Sequence, residues 1–263
     1  MNLLSIIGLP RSGTTMLGRM LSAGAGTYYH EEPNPAWRFG NRRRLGHEQF
    51  ESEHATARVK AFVRAKLANE SAAAIVEKTP ANCLRVGFVE AIVPEARIIF
   101  LRREREAIKR SMLRKWLEWD DANAAQLSGG SALHDVKGQI GKLAYVHPSE
   151  LPIYIAVGLR GRVGRILRRP PGFWGPEFAG WQALKGKPHE EVVDASITAM
   201  EAALEAGIAQ CCAPHVVLRY EDIIADCEGV VAPALSHLSF EGLDPDYALI
   251  SGSGTKPVGQ SAS

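Results

Sequence analysis

A chain of 263 residues with ordinary apolar content is long enough to bury a full core and form one α/β domain with room for a helical insert. Its formal charge of +2 argues against broad nucleic-acid binding, so the basic cluster Arg42-Arg43-Arg44 reads as a solvated face. No apolar run has the length of a membrane span, so neither nucleic acid nor membrane is expected as a partner.

The N-terminus carries no basic stretch before Leu3 and no obvious cleavage site, so it reads as a first strand and not as a signal peptide. The cysteines Cys83, Cys211, Cys212 and Cys227 form no C-x-x-C pair and no metal spacing. A reduced, cytoplasmic protein fits that pattern.

Leu3-Leu4-Ser5-Ile6-Ile7 is too short for a helix and about right for a buried strand. Gly8 and Pro10 then break the chain, and Met16, Leu17, Met20 and Leu21 recur at helical spacing from Thr14 onward. A strand, a Gly-containing loop and a helix N-terminus point backbone N–H groups and the positive helix end at one spot, which suits phosphate or sulfate. Gly8 to Thr15 reads G-x-x-x-x-G-T-T, a phosphate loop with Thr14 where a nucleotide triphosphatase carries Lys. Arg11 is its only fixed charge. An ordinary βα turn is the plainer reading of the same residues.

Thr27-Tyr28-Tyr29-His30 is β-prone, and Pro33 and Pro35 fix a loop after it. Ligands of open parallel sheets sit beyond the carboxyl ends of the strands, which puts Glu31 and Glu32 at the expected site. Either a general base or a solvated acid pair fits. Residues 53–70 form an amphipathic helix with Val59, Phe62, Val63 and Leu67 on one side. Residues 72–76 then form a strand that ends at Glu77-Lys78-Thr79-Pro80. Lys78 can neutralise charge that builds up on a transferring group, or stand solvated beside a turn. Thr79 before Pro80 has the look of a helix N-cap.

A helix over about 82–93 leads to the strand 97–102, which runs into Arg103. A nucleotide triphosphatase often ends such a strand with an acid that holds Mg²⁺. Basic residues there suit a metal-free anion donor, unless Arg103 merely pairs with Glu104 or Glu106. Ala107, Ile108, Met112 and Leu113 begin the next helical face, with Ser111 eight residues beyond Arg103 and Lys115 one turn further.

From about 120 to 188 the sheet pattern lapses into a helical or loop insert, with helices expected around 134–144 and 150–168. The segment from Arg168 to Pro176, with Phe178 and Trp181, can wall an acceptor pocket or pack its own aromatics. A long helix spans 189–210, with Val192, Val193, Ile197, Met200 and Leu204 as its apolar stripe. His215 to Arg219 reads as a last buried strand, followed by Tyr220-Glu221-Asp222. The tail from Ser251 through Lys256 is flexible by composition.

Two of these patterns together resemble the sulfotransferases that use 3′-phosphoadenosine 5′-phosphosulfate (PAPS). Gly8 to Thr15 looks like their 5′-phosphosulfate loop, and Arg103 with Ser111 like the pair that grips the 3′-phosphate. The Glu77 to Asn82 pattern is similar to one in the same broad group. The resemblance implies a three-layer, P-loop NTPase-like α/β fold with a central parallel sheet flanked by helices, as one domain over 1–263. It also implies transfer of a sulfuryl group to an acceptor hydroxyl (small molecule, glycan or tyrosine) by in-line displacement, with no metal.

By the same resemblance to the tyrosylprotein and bacterial members, Glu32 is the base, with Glu31 as runner-up, and Arg11 and Lys78 assist. Arg11, Ser12, Gly13, Thr14, Thr15, Arg103 and Ser111 would hold the donor. Lys115, Tyr220, Ser251 and Lys256 are further candidate contacts. The chain ends at Ser263, so the closing segment of the family is expected to be abbreviated or cut short. Met16 stands where cytosolic relatives stack a Trp on adenine, and His30 and His47 are the candidates for a His base such as those enzymes use. A kinase on the same fold, or a non-catalytic nucleotide-binding protein, are the competing readings. The first calls for a loop Lys and a strand-end acid, and this chain has neither.

Overall fold

A computed structural model describes residues 1–127, 141–152, 154–156 and 173–251. Its centre is a five-stranded parallel sheet in the order β2-β3-β1-β4-β5. The strands are β1 (Leu3–Gly8), β2 (Thr27–Glu31), β3 (Ala74–Lys78), β4 (Arg97–Arg102) and β5 (His215–Arg219). The helices needed here are α1 (Thr14–Leu21), α2 (Asn34–Arg38), α3 (Arg42–Leu45), α4 (Ala57–Leu67), α5 (Val86–Ile92) and α6 (Arg105–Leu127). They are followed by α7 (His189–Gln210), α8 (Tyr220–Ala225), α9 (Cys227–His237) and α10 (Ala248–Ser251).

Alternation along the strands sorts the core into two halves. Leu3 and Ile7 of β1, Ile75 of β3, and Ile98 and Phe100 of β4 face α4 to α7. Leu4, Ile6, Val76, Ile99 and Leu101 face α1, α8 and α9. Because β1, β3 and β4 are covered on both sides, they read as continuous apolar runs. Each fully buried Leu or Ile contributes roughly 1.5–3 kcal/mol through removal of its surface from water. This is the expected three-layer α/β architecture.

Polar groups also lie inside the sheet, Glu77 among them. Glu77 is fully buried and accepts hydrogen bonds from Ser5 Oγ (2.9 Å) and Trp37 Nε1 (3.0 Å), so it fastens β3 to β1 and to α2. Burial holds its pKa above the ordinary carboxylate value despite these bonds.

Several local expectations change. Pro33 and Pro35 do not hold a loop: Pro33 is the N-cap of α2 and Pro35 lies in its first turn, where a missing N–H costs nothing. The helix expected over 82–93 is a 3₁₀ turn, Pro80–Leu84, followed by the shorter α5. Thr79 precedes that turn but makes no capping hydrogen bond. The strand β5 is not buried, because it pairs only with β4 at the sheet edge, and Val217 is 39% exposed. By contrast, α7 matches its expected span and buries all five of its expected stripe residues.

The order of the strands decides where a ligand can sit. The chain leaves β1 toward β2 on one side and leaves β4 toward β5 on the other, opening a crevice beyond their carboxyl ends. Gly8 and Arg102 end those two strands, so Arg11 and Arg103 meet at the crevice. Among the described residues, no helix is long and apolar enough to cross a membrane.

Candidate active site

The phosphate loop has the geometry its glycines suggest. Gly13 adopts φ 101°, open to glycine and strained for other residues, and a side chain there would run into the Tyr220 ring. The turn closes through Ser12 N to Leu9 O (3.1 Å) and Leu17 N to Gly13 O (3.1 Å). No side chain caps α1, so its first amides keep their donors for a ligand. Ser12 Oγ is buried with no partner among the described residues. Arg11 sits in the left-handed region at φ 69°, a strained conformation for a residue with a side chain.

The end of β4 is tied to this loop. Arg103 Nη1 donates to the Arg11 carbonyl at 2.9 Å, and Arg11 Nε donates to Ser111 Oγ of α6 at 3.0 Å. The Arg103 guanidinium stacks 4.0 Å from the centre of the Tyr220 ring. Its Nε is buried with no partner among the described residues. Among the described residues no carboxylate pairs with Arg103, so the surface pairing with Glu104 or Glu106 does not form. Glu104 instead donates its backbone N–H to Glu221 Oε1 at 3.0 Å. Lys115 pairs with Glu118 on the exposed side of α6 (3.2 Å). Ser251 ends α10, and Lys256 lies outside the described residues, as do most of the two insert helices expected within 134–168.

The two strand-end glutamates part company. Glu31 belongs to β2 and pairs on the surface with Arg19 at 3.2 Å. Glu32 turns inward because its backbone takes φ 59°, while its N–H donates to Lys78 O at 2.8 Å. Lys78 Nζ, on a side chain only 1% exposed, bonds Glu32 Oε1 at 2.8 Å, and Lys142 Nζ reaches Oε2 at 3.1 Å. Burial alone would raise the Glu32 pKa, but the two ammonium groups outweigh it and hold the carboxyl below its ordinary value. His30 is spent elsewhere: its ring nitrogens engage Tyr145 Oη (2.7 Å) and Leu67 O (3.1 Å). His47 has its pKa lowered by burial and does not line the cleft.

Arg11, Thr14, Thr15, Glu32 and Lys78 line one cleft of about 240 Å³. Its far wall is made by Asn34, Arg38 and Glu48, with Trp174, Gly175 and Pro176 completing it. Glu48 is fully buried and accepts from Asn34 Nδ2 (2.7 Å), Arg38 Nε (2.6 Å) and the Glu177 amide (3.0 Å). Burial opposes its ionisation, yet Arg38 and Arg85 pull its pKa down to about 2. The described part of the aromatic segment divides between the cleft and the core. Trp174 reaches the cleft, while Phe173 packs on Trp181 (5.0 Å between ring centres) and Trp116.

Residues 4–128 match the model of the "Sulfotransferase family", a span that takes in β1 to β4 and the whole first half of this site. Over these residues, just under half of its length, the chain is similar to that family. Among solved structures it is similar to the "Sulfotransferase Domain from the Curacin Biosynthetic Pathway" (13% identity, 93% of this chain and 75% of the other, TM-score 0.49). It is also similar to a sulfotransferase from Alicyclobacillus acidocaldarius (16%, 94% and 84%, TM-score 0.46). A sugar kinase from Janibacter sp. HTCC2649 is similar as well (13%, 92% and 96%, TM-score 0.42). None of the three is close enough in shape to bear on activity. No curated protein gives a match.

The notable additions to the site are Asn34, Arg38, Glu48 and Lys142, which sequence reasoning did not single out. Asn34 and Arg38 lie one helical turn apart on α2, directly after Glu32, and that spacing was the available signal. Glu48 and Lys142 carried none, since their burial and pairing depend on distant partners. Among the described residues, no group of three or more His, Cys, Asp or Glu side chains is arranged to hold a metal ion.

Proposed function

We propose that this protein is a sulfotransferase that takes PAPS as donor and transfers its sulfuryl group to an acceptor hydroxyl, with Glu32 as the base. One observation carries the reading. The loop at Arg11 and the strand end at Arg103 are hydrogen-bonded into one unit that leaves Ser12 Oγ and Arg103 Nε buried and unpartnered. Buried donors without partners cost about 1–3 kcal/mol each, a cost that an anionic ligand removes.

When bound, the donor supplies a sulfuryl group, whose new S–O bond to the acceptor forms as the bond to the 5′-phosphate oxygen breaks. The residues have separable tasks. Arg103 and Ser111 suit the 3′-phosphate; the α1 amides, Ser12, Thr14, Thr15 and Arg11 suit the 5′ end. Tyr220, stacked under Arg103, holds that guanidinium in place and can meet the nucleotide with its free edge. Lys78 brings a buried positive charge to where negative charge develops on the bridging oxygen, and stabilisation of this kind is worth several kcal/mol in a water-poor site. Glu32 takes the acceptor proton, and Lys78 keeps it ionised and aimed. Among the described residues, two of the three non-glycine residues with positive φ are Arg11 and Glu32, so backbone strain of about 1–3 kcal/mol each falls on the two side chains the reaction uses.

The test is calorimetric titration with 3′-phosphoadenosine 5′-phosphate against AMP, ADP and ATP. Tight binding that requires the 3′-phosphate is expected. A preference for ATP with magnesium overturns the reading in favour of a kinase.

A further inference from the structure

The far wall of the cleft carries information about the acceptor. Building on the sulfotransferase reading, we infer that the acceptor is a polyhydroxylated compound, a saccharide or comparable polyol, bound against Asn34, Arg38 and Glu48 with one face on Trp174.

The lining itself is the first ground. Among the described residues, no aliphatic side chain larger than alanine or proline faces the cleft, and Trp174 is its one aromatic ring. Pockets for flat apolar ligands such as phenols are lined mainly by aliphatic and aromatic side chains with few polar groups. Here the proportions are reversed.

The polar wall is also rigid. Glu48 accepts from Asn34 and Arg38, and it joins the segment at Glu177 in both directions, since it also accepts from the Glu177 amide and its own N–H donates to Glu177 O at 2.6 Å. Behind it Arg85, fully buried, donates to Asn34 Oδ1 at 2.6 Å and stands 3.9 Å from Glu48. These groups cannot turn away from a ligand. An apolar ring pressed on them would strip water from the partly exposed Arg38 without replacing its hydrogen bonds, at about 1–3 kcal/mol. A polyol replaces that water with hydroxyls that both donate and accept, and its C–H face has the Trp174 ring to lie on.

Size agrees. A cleft of about 240 Å³ is smaller than the roughly 300–1,000 Å³ that encloses drug-sized ligands, so one sugar ring beside the sulfuryl group is the scale it admits.

The experiment uses the whole protein saturated with 3′-phosphoadenosine 5′-phosphate. Saturation-transfer NMR is recorded with methyl glycosides of glucose, galactose and N-acetylglucosamine, and with 2-naphthol and N-acetyltyrosinamide as the phenolic set. Transfer from labelled PAPS is followed in parallel. Contact with at least one glycoside, and label on it, is expected. Arg38→Met should weaken glycoside binding by roughly tenfold or more, the size of one lost charge-assisted hydrogen bond, with nucleotide affinity unchanged. Because Arg38 pairs with buried Glu48, Trp174→Ala at the cleft surface serves as the second variant and should weaken the same glycoside. Label confined to phenols overturns the inference, and so does contact with none of the glycosides while the nucleotide binds. Failure of the nucleotide itself to bind would instead count against the sulfotransferase reading.

Discussion

Arg11 Nε donates to Ser111 Oγ at 3.0 Å, joining side chains that lie 100 residues apart in sequence. The contact makes the phosphate loop and the start of α6 a single surface, with Arg103 closing it from beneath through the Arg11 carbonyl. A ligand that touches one part therefore feels the others. Ser111→Ala should weaken nucleotide binding even where Arg11 still reaches the ligand. In a double-mutant cycle with Arg11→Met, the two losses should fall short of additive by about 0.5–3 kcal/mol. Strict additivity in calorimetric titrations would show that the pair does not act as a unit.

Arg103→Ala should cost about ten- to a hundredfold in affinity for 3′-phosphoadenosine 5′-phosphate, as expected for a charge-assisted contact. It should leave AMP binding nearly unchanged. A similar loss for both nucleotides would mean that Arg103 supports the loop and does not read the 3′-phosphate.

Glu32→Gln should reduce turnover by about 10²- to 10⁴-fold with nucleotide binding preserved. The pH profile gives an independent check. Lys78 and Lys142 overcome burial and hold the Glu32 pKa low, so activity should persist through mildly acidic pH and fall only as the pH drops through that lowered value. Lys142→Met removes one of the two charges, and the acid limb should move to higher pH. An unmoved limb would assign the titration to another group.

Glu48 links pH to folding. Its pKa lies near 2 in the folded chain against 4.5 ordinarily, so the stability it confers is fully present above about 4.5 and is lost as pH falls toward 2. The shift corresponds to roughly 3 kcal/mol, to order of magnitude. Chemical denaturation of Glu48→Gln should show a flatter stability profile across that interval. A profile parallel to the unsubstituted protein would place the acid sensitivity elsewhere.

Gly13→Ala should be destabilising on two counts, a left-handed backbone and a methyl group driven into Tyr220. A melting temperature lowered by several degrees is expected, with partial recovery in Gly13→Ala combined with Tyr220→Ala. No recovery in the double variant would leave backbone conformation as the whole cause.

The elements that reason could reach are those whose signal is local. The run Leu3 to Ile7, the turn at Gly13, the strand ending at Arg103 and the stripe from Val192 to Leu204 are each specified by neighbouring residues, and each lies where its pattern puts it. His215 to Arg219 misled because composition does not disclose a strand's place in the sheet: Val-Val-Leu at an edge looks the same as in the middle. Thr79 has the right residue type for a cap but the wrong geometry for it. The wall around Glu48 was illegible for a different reason. Charged residues between Asn34 and Glu48 look solvated until Arg85 and Glu177 are brought against them from far along the chain.

Lys142 meets the second oxygen of Glu32, so each oxygen of the carboxylate carries one ammonium group and keeps a lone pair for a further donor. Under the proposed chemistry, an acceptor hydroxyl can reach the base without breaking either ion pair, and the two ammonium groups narrow the direction from which it approaches.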